Sequence, residues 1–326
     1  MSELKNIAIL CSGGDVSGMN AALKRFVEYS IAKGMTPYFV ENGYEGLIDN
    51  QIYKADYNDV AGIILRGGTK IHTSRSMRFK EASYRKQAIA NMKALNISYL
   101  LVLGGDGSFK GMQKLCDESE GIAVAGIPST IDNDIAGTEY CLGVDTALNI
   151  IKSAVDSIRD TASSFRRAFV IETMGRNCGY LALVSALTSG AEMCLIPEVS
   201  YDLESYKKIF QKQMQEGRGY FIAFTAEALH NTQEIQKWFE EEVGIESRYM
   251  VLGHMQRGGN PTVYDRLMAF HFVTHAIDGF FEGRKSSVVC YNFGGFGYKN
   301  IEDVAFKTSR ICPDLLKLGA EYGRDI

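Results

Sequence analysis

The chain has 326 residues, 46% of them apolar and 23% charged, and a formal net charge of −4. That length accommodates two domains, and the composition is that of a globular chain rather than a disordered one. The acidic balance, without a basic stretch, argues against a nucleic-acid partner, and no apolar run approaches the roughly 20 residues that cross a bilayer. The opening MSELKNIAILCSGG has an apolar run of only Ile7 to Leu10, too short for a signal peptide. The cysteines (Cys11, Cys116, Cys141, Cys178, Cys194, Cys290 and Cys312) are scattered without CxxC spacing, which reads as free thiols in a reducing cytoplasm.

In chain order, NIAILC (Asn6 to Cys11) reads as a buried strand followed by a glycine loop. Met19, Ala22, Leu23, Phe26, Ser30 and Ile31 then fall at helical spacing, and Gly34 ends that helix. YLLVL (Tyr99 to Leu103) is the next clear strand, with a turn over Gly104 to Ser108 and a helix running towards Cys116. Ile122 to Ile127 is another strand, and Ala147, Leu148, Ile151, Val155 and Ile158 mark a long helix. AFVIE, MCLIP, YFIAF and YMVLG continue the rhythm, and SVVCY (Ser287 to Tyr291) is a late strand. Short, uniformly apolar strands alternating with helices predict an α/β fold of parallel sheets covered on both faces. In such sheets ligands bind at the carboxyl ends of the strands, so the loops that follow strands are the places to look.

Three of those loops carry chemistry. CSGGDVSGMN (Cys11 to Asn20) joins a strand to a helix N-terminus, where glycines admit a ligand to the backbone and free N–H groups suit a phosphate; a plain tight turn fits equally well. LGGDGS (Leu103 to Ser108) repeats the design with Asp106 among glycines: a carboxylate for Mg²⁺ beside a phosphate cradle, or a helix N-cap. IPSTIDND follows the third strand. If extended, it aims Asp132 and Asp134 the same way, roughly 7 Å apart, one to accept a proton and one to orient a cation; the alternative is a turn whose side chains bond backbone. Arg166, Arg167, Arg176, Arg248, Arg257 and Arg266 follow in later loops, and the guanidinium fork fits phosphate. His254 has no second ligand at metal spacing. Together these are the parts of a phosphoryl-transfer site, where positioning and charge neutralisation do most of the catalysis.

SGGDVSGMNAAL, GGDGS, STIDND, ETMGRNCGYLAL and LGHMQRGGNPTVYDR, in this order and spacing, resemble the successive signatures of the 6-phosphofructokinases of the short bacterial, ATP-dependent type, over nearly the whole chain. The resemblance implies two three-layer αβα Rossmann-like domains with mainly parallel sheets. Residues 1–143 with 256–306 would bind nucleotide, and 144–255 with 307–326 would bind sugar phosphate. It implies transfer of a phosphoryl group from ATP to the 1-hydroxyl of fructose 6-phosphate, with Mg²⁺, in a cytoplasmic homotetramer. Asp132 matches the general base and Asp134 a carboxylate beside it; Thr130, Arg75 and Arg176 match groups that stabilise the transferring phosphoryl. Asp106 matches the Mg²⁺ ligand, and Gly14, Tyr44, Arg75, Ser76, Gly105, Asp106, Gly107 and Ser108 the nucleotide site. Thr130, Ile131, Asp132, Met174, Gly175, Arg176, Glu227, His254, Met255, Gln256 and Arg257 match the sugar-phosphate site, and Arg167 and Arg248 match arginines that reach a neighbouring subunit. Pyrophosphate-dependent members carry an acid where Gly107 stands and a lysine where Ser129 stands; Gly107 keeps room for a nucleotide, and Ser129 is neither that lysine nor the glycine usual in bacterial ATP users. At the effector positions Arg159, Arg218 and Lys24 keep positive charge, whereas Glu28, Tyr57 and Glu216 replace cations, which implies weak phosphoenolpyruvate inhibition.

Overall fold

The computed structural model describes residues 5–307 and 311–319; of the expected sugar-phosphate piece 307–326, residues 308–310 and 320–326 lie outside the described residues. The chain runs β1 (Asn6–Ser12), α1 (Met19–Ala32), β2 (Thr36–Val40), α2 (Gly43–Ile48), β3 (Ile52–Lys54), α3 (Ala82–Ala94), β4 (Ile97–Gly104), α4 (Asp106–Glu118) and β5 (Ala123–Pro128). It continues through α5 (Val144–Phe165), β6 (Ala168–Thr173), α6 (Tyr180–Ser189), β7 (Met193–Leu195), α7 (Leu203–Gln215), β8 (Phe221–Ala226), α8 (Thr232–Trp238) and β9 (Ser247–Val251). α9 (Val263–Phe281), β10 (Ser286–Asn292), β11 (Gly295–Asn300) and α10 (Pro313–Gly319) complete it. Two compact units result, one of Met1–Thr146 with Arg257–Ser309, the other of Ala147–Gln256 with Arg310–Ile326.

The first unit holds a seven-stranded sheet in the order β11-β10-β5-β4-β1-β2-β3. Its five inner strands are parallel, and only the edge strands β3 and β11 run antiparallel to their neighbours. Helices α1 and α9 pack together on one face, and α2, α3 and α4 cover the other. A strand covered on both faces must be apolar at every position, and Ile7 to Leu10 and Leu100 to Leu103 are fully buried. The helical spacing read from Met19 to Phe26 is the buried stripe of α1.

The second unit has a parallel four-stranded sheet in the order β7-β8-β6-β9. Beneath it Phe210, Phe221 and Phe239 form a fully buried aromatic cluster with centroids 4.5–6.5 Å apart, and Trp238 lies at its margin. Burying each such ring contributes about 1.5–3 kcal/mol. The structure departs from the sequence reading at YMVLG. β9 is an edge strand, and Arg248, Tyr249, Met250 and Val251 are exposed rather than buried. β2, β3 and β11 were not anticipated either, because Pro37 interrupts β2, β3 has three residues, and β11 (GFGYKN) carries two glycines.

Candidate active site

In the first unit β1 lies between β2 and β4, so the chain leaves β1 for one side and returns on the other. Such a reversal opens a crevice beyond the carboxyl ends of the two strands. The loops after β1 and β4 meet there. Ser108 Oγ donates to the Ser12 carbonyl at 2.9 Å and lies 2.9 Å from the Ser12 hydroxyl. The approach is so close that a Cβ on Gly104 would stand 2.5 Å from Ser108 Oγ and 2.7 Å from the Ser12 carbonyl oxygen. Tyr44 supports this turn from beneath: it is 3% exposed, stacks on Phe79 at 4.0 Å and donates to the Ser108 carbonyl at 2.8 Å. Burial pushes its hydroxyl well above the ordinary phenol value.

Asp106 is the first residue of α4, after Gly105 at the N-cap position, so it is not itself the N-cap. The carboxylate is partly exposed and takes a cation already, with Lys110 Nζ 2.6 Å away. Lys110 could have been found from its spacing of four residues on a helix. Gly107 is exposed, and a Cβ there would meet no atom within 4 Å. Mg²⁺ uses one or two protein carboxylates and completes its shell with phosphate oxygens and water. Among the described residues no three His, Cys, Asp or Glu cluster into a protein-only cage. A single carboxylate at a helix head, beside a loop with open space, fits that ion.

Thr73 and Ser74 are zipped to the end of β1: Gly13 N–H donates to the Ser74 carbonyl at 3.1 Å, and Thr73 Oγ1 donates to the Gly13 carbonyl at 3.1 Å. This leaves Arg75 exposed and Ser76 half-buried, its Oγ accepting from the Phe79 N–H at 3.0 Å. The Arg257 guanidinium lies against Gly14 so closely that any side chain there would collide with it.

The loop after β5 is a compact turn. Ser129 is 1% exposed; its N–H donates to the Gly104 carbonyl at 2.9 Å and its hydroxyl to the Ile127 carbonyl at 3.0 Å. Thr130 is half-buried, lies 3.4 Å from the Cβ position of Gly105, and accepts from the Asp132 N–H at 3.2 Å. Ile131 is 2% and Asp132 8% exposed, whereas Asp134 is half-buried. Asn133 between the acids has φ of 50°, so the segment is not extended there, which removes the condition on which the parallel aim of Asp132 and Asp134 rested. Asn133 makes the turn: its Nδ2 donates to the Glu139 carbonyl at 3.0 Å, and its Oδ1 accepts from the Cys141 N–H at 2.9 Å.

In the second unit β6 lies between β8 and β9, again a reversal point. Glu227, just after β8, accepts from the N–H groups of Gly175 at 3.2 Å and Arg176 at 2.5 Å, both just after β6. This holds Gly175 and Arg176 at positive φ, 147° and 56°, with the Arg176 side chain exposed. Gln256 links the loops after β6 and β9: it accepts from the Met174 N–H at 3.2 Å and donates to the Gly253 carbonyl at 3.0 Å. It is 1% exposed, so it serves the backbone rather than an open surface, while its neighbours His254 and Met255 are exposed. Arg167 and Arg248 share one carboxylate, Glu246, at 2.8 and 2.6 Å. The Arg167 bond first, helped by both positive charges, draws the Glu246 carboxyl below its ordinary value. Nothing in the sequence pointed to Glu246, because Arg167 is distant along the chain.

The sequence profile described as Phosphofructokinase matches residues 6–280. The chain belongs to the phosphofructokinase family. A relative from Sulfurovum sp. (strain NBC37-1), named ATP-dependent 6-phosphofructokinase, is 72% identical over 98% of both chains. One of the same name from Bacillus pumilus is 40% identical, covering 98% of this chain and 99% of that one. The phosphofructokinase structure from Saccharomyces cerevisiae superposes with a TM-score of 0.85 at 30% identity over 92% of this chain, which spans 44% of the yeast chain. A pyrophosphate-dependent phosphofructokinase from Marinobacter aquaeolei gives a TM-score of 0.82 at 20% identity over 94% of this chain and 85% of its own, and so shares the fold. Among the described residues no helix is long and apolar enough to cross a membrane.

Proposed function

We propose that the protein is an ATP-dependent 6-phosphofructokinase. The 1-hydroxyl oxygen of fructose 6-phosphate attacks the γ-phosphorus of ATP, the bond to the β-phosphate oxygen breaks, and fructose 1,6-bisphosphate and ADP leave. The observation that carries this reading is the hydrogen bond from the Ser129 N–H to the Gly104 carbonyl, because it sets the phosphate-type turn after β4 directly beside the acid-bearing turn after β5. A phosphate cradle and a base on adjacent strands are what transfer to an alcohol needs.

Asp132 takes the hydroxyl proton as general base, with Asp134 as the charged neighbour. Thr130, Arg75 and Arg176 balance charge on the transferring group. Asp106 would hold Mg²⁺, which when bound neutralises phosphate oxygens. Gly14, Arg75, Ser76 and Gly105 to Ser108 receive the nucleotide, with Tyr44 supporting them from beneath. Ile131, Met174 and Gly175 offer backbone to the sugar phosphate; Arg176, Glu227, His254, Met255 and Arg257 offer side chains, and Gln256 ties the Met174 and Gly253 backbones together. Arg167 and Arg248 serve the site of a neighbouring copy in a cytoplasmic homotetramer of glycolysis, and Glu246 keeps the two arginines together.

The test is a donor comparison with fructose 6-phosphate. ATP with Mg²⁺ supports turnover orders of magnitude above pyrophosphate. Turnover with pyrophosphate alone would overturn the donor assignment, and binding of sugar phosphate without turnover by either donor would make the protein a sensor rather than an enzyme.

A further inference from the structure

Asp265, in the first turn of α9, is completely buried, and every oxygen lone pair it offers inward is used. Oδ1 accepts from the Tyr140 hydroxyl at 2.6 Å and from the Gly143 N–H at 2.7 Å. Oδ2 accepts from the Thr146 N–H at 2.8 Å and from the Thr146 hydroxyl at 2.5 Å. All four partners donate, so the arrangement suits a carboxylate and not an amide, whose NH₂ would face other donors. Burial pushes the Asp265 carboxyl up from its ordinary value, and the bonds from Thr146, Tyr140 and Gly143 oppose that push. A buried charge is a poor way to gain stability, since an apolar group of similar volume does as well or better. A fully satisfied buried network does fix a single geometry.

What it fixes is the acid-bearing turn. Tyr140 stands between Glu139 and Cys141, the two residues whose backbone holds the Asn133 side chain, and Asn133 stands between Asp132 and Asp134. Thr138 adds a brace, donating to the Tyr140 carbonyl at 3.0 Å and accepting from the Tyr291 N–H at 3.0 Å. The connection from Asp265 through Tyr140 to Asn133 therefore ends at the backbone on either side of the proposed base. We infer that Asp265 is a positioning residue for phosphoryl transfer, holding the Asp132 turn in register through Tyr140, Gly143 and Thr146. The inference rests on the kinase reading above.

The experiment uses the full chain with fructose 6-phosphate and ATP, after wild-type turnover and its loss in Asp132→Asn have been established; failure of either control counts against the kinase reading and not against this one. Tyr140→Phe and Thr146→Val each remove one hydroxyl donor and leave the backbone donors in place. Each lowers kcat about 10-fold at a temperature well below its melting point, with KM for both substrates within about two-fold, because small displacements of a reacting group act on the chemical step. Placed on the Asp132→Asn background, Tyr140→Phe causes no further loss, since both changes act through the same group. A lowered melting temperature with unchanged kcat in both variants would reduce Asp265 to a structural role. An equal fold-loss with and without Asp132 would place the effect elsewhere. Asp265→Asn is the severe variant, and its failure to fold leaves the other two decisive.

Discussion

Gly107 and Ser129 divide the question of the phosphoryl donor between them. At Gly107 the space beyond the backbone is open, and the Cβ of Gly107→Asp meets no protein atom within 4 Å. We expect an unchanged melting temperature and a fall of kcat/KM for ATP of at least 100-fold, from excluded volume and from repulsion of the nucleotide phosphates; parallel losses of stability and activity would contradict this. Ser129 is turned inward onto the carbonyl of Ile127, so its hydroxyl belongs to the end of β5 rather than to a ligand. A general base contributes typically about 10²–10⁴-fold. Asp132→Asn should lower kcat within that range while fructose 6-phosphate binding, read by calorimetry, is largely retained. At the effector positions Glu28 lies 2.5 Å from Lys24 and neutralises it. Phosphoenolpyruvate titrations should therefore show weak inhibition, and a steep, potent curve would refute that.

At the scale of elements, α9 and β11 meet through a stack of rings. Phe296 lies 4.6 Å from His275 and 5.2 Å from His271, both nearly parallel to it. Burial, the neighbouring His275 and Arg25 lower the His271 pKa from its ordinary 6.5. A histidine lowered in the folded state favours the neutral form, so its contribution is complete above 6.5 and declines as the pH falls through that value towards the folded one. Melting temperature should fall modestly on acidification through that window, and His271→Gln should flatten the acid limb; an unchanged limb would exclude His271 as its source. The elements also show what a linear reading can and cannot reach. β1, β4 and β5 were legible because strands covered on both faces must be apolar throughout. YMVLG looked the same, but an apolar run does not reveal whether its strand is central or at an edge. The glycine turns after β1 and β4 were legible because only glycine lets two loops approach so closely. The left-handed turn at Asn133, the burial of Gln256 and the network around Asp265 were not, because their partners are set by tertiary contact; those of Asp265 are 119–125 residues away.

For the whole molecule, the proposal that Arg167 and Arg248 serve a neighbouring copy has a direct consequence. Asp132→Asn and Arg248→Ala each inactivate a homogeneous preparation. Co-expressed in one cell they form mixed assemblies in which some sites hold an intact Asp132 from one copy and an intact Arg248 from another. Activity should reappear in the mixture, and its absence, with mixed assemblies demonstrated by mass spectrometry, would place both residues in the same copy's site.

The first unit is made of two stretches of chain with all of Ala147–Gln256 between them. Strand β5, which leads to Asp132, pairs on one side with β10, Val124 to Gly126 against Ser286 to Val288. On a ribosome adding about 5–20 residues per second, that partner emerges on the order of ten seconds after β5. Throughout that interval an apolar strand stands at an open sheet edge, the kind of surface that pairs with other chains. The nascent protein is thus most exposed to mispairing at the strand that leads to its proposed base, and the time to finish translation sets how long that exposure lasts.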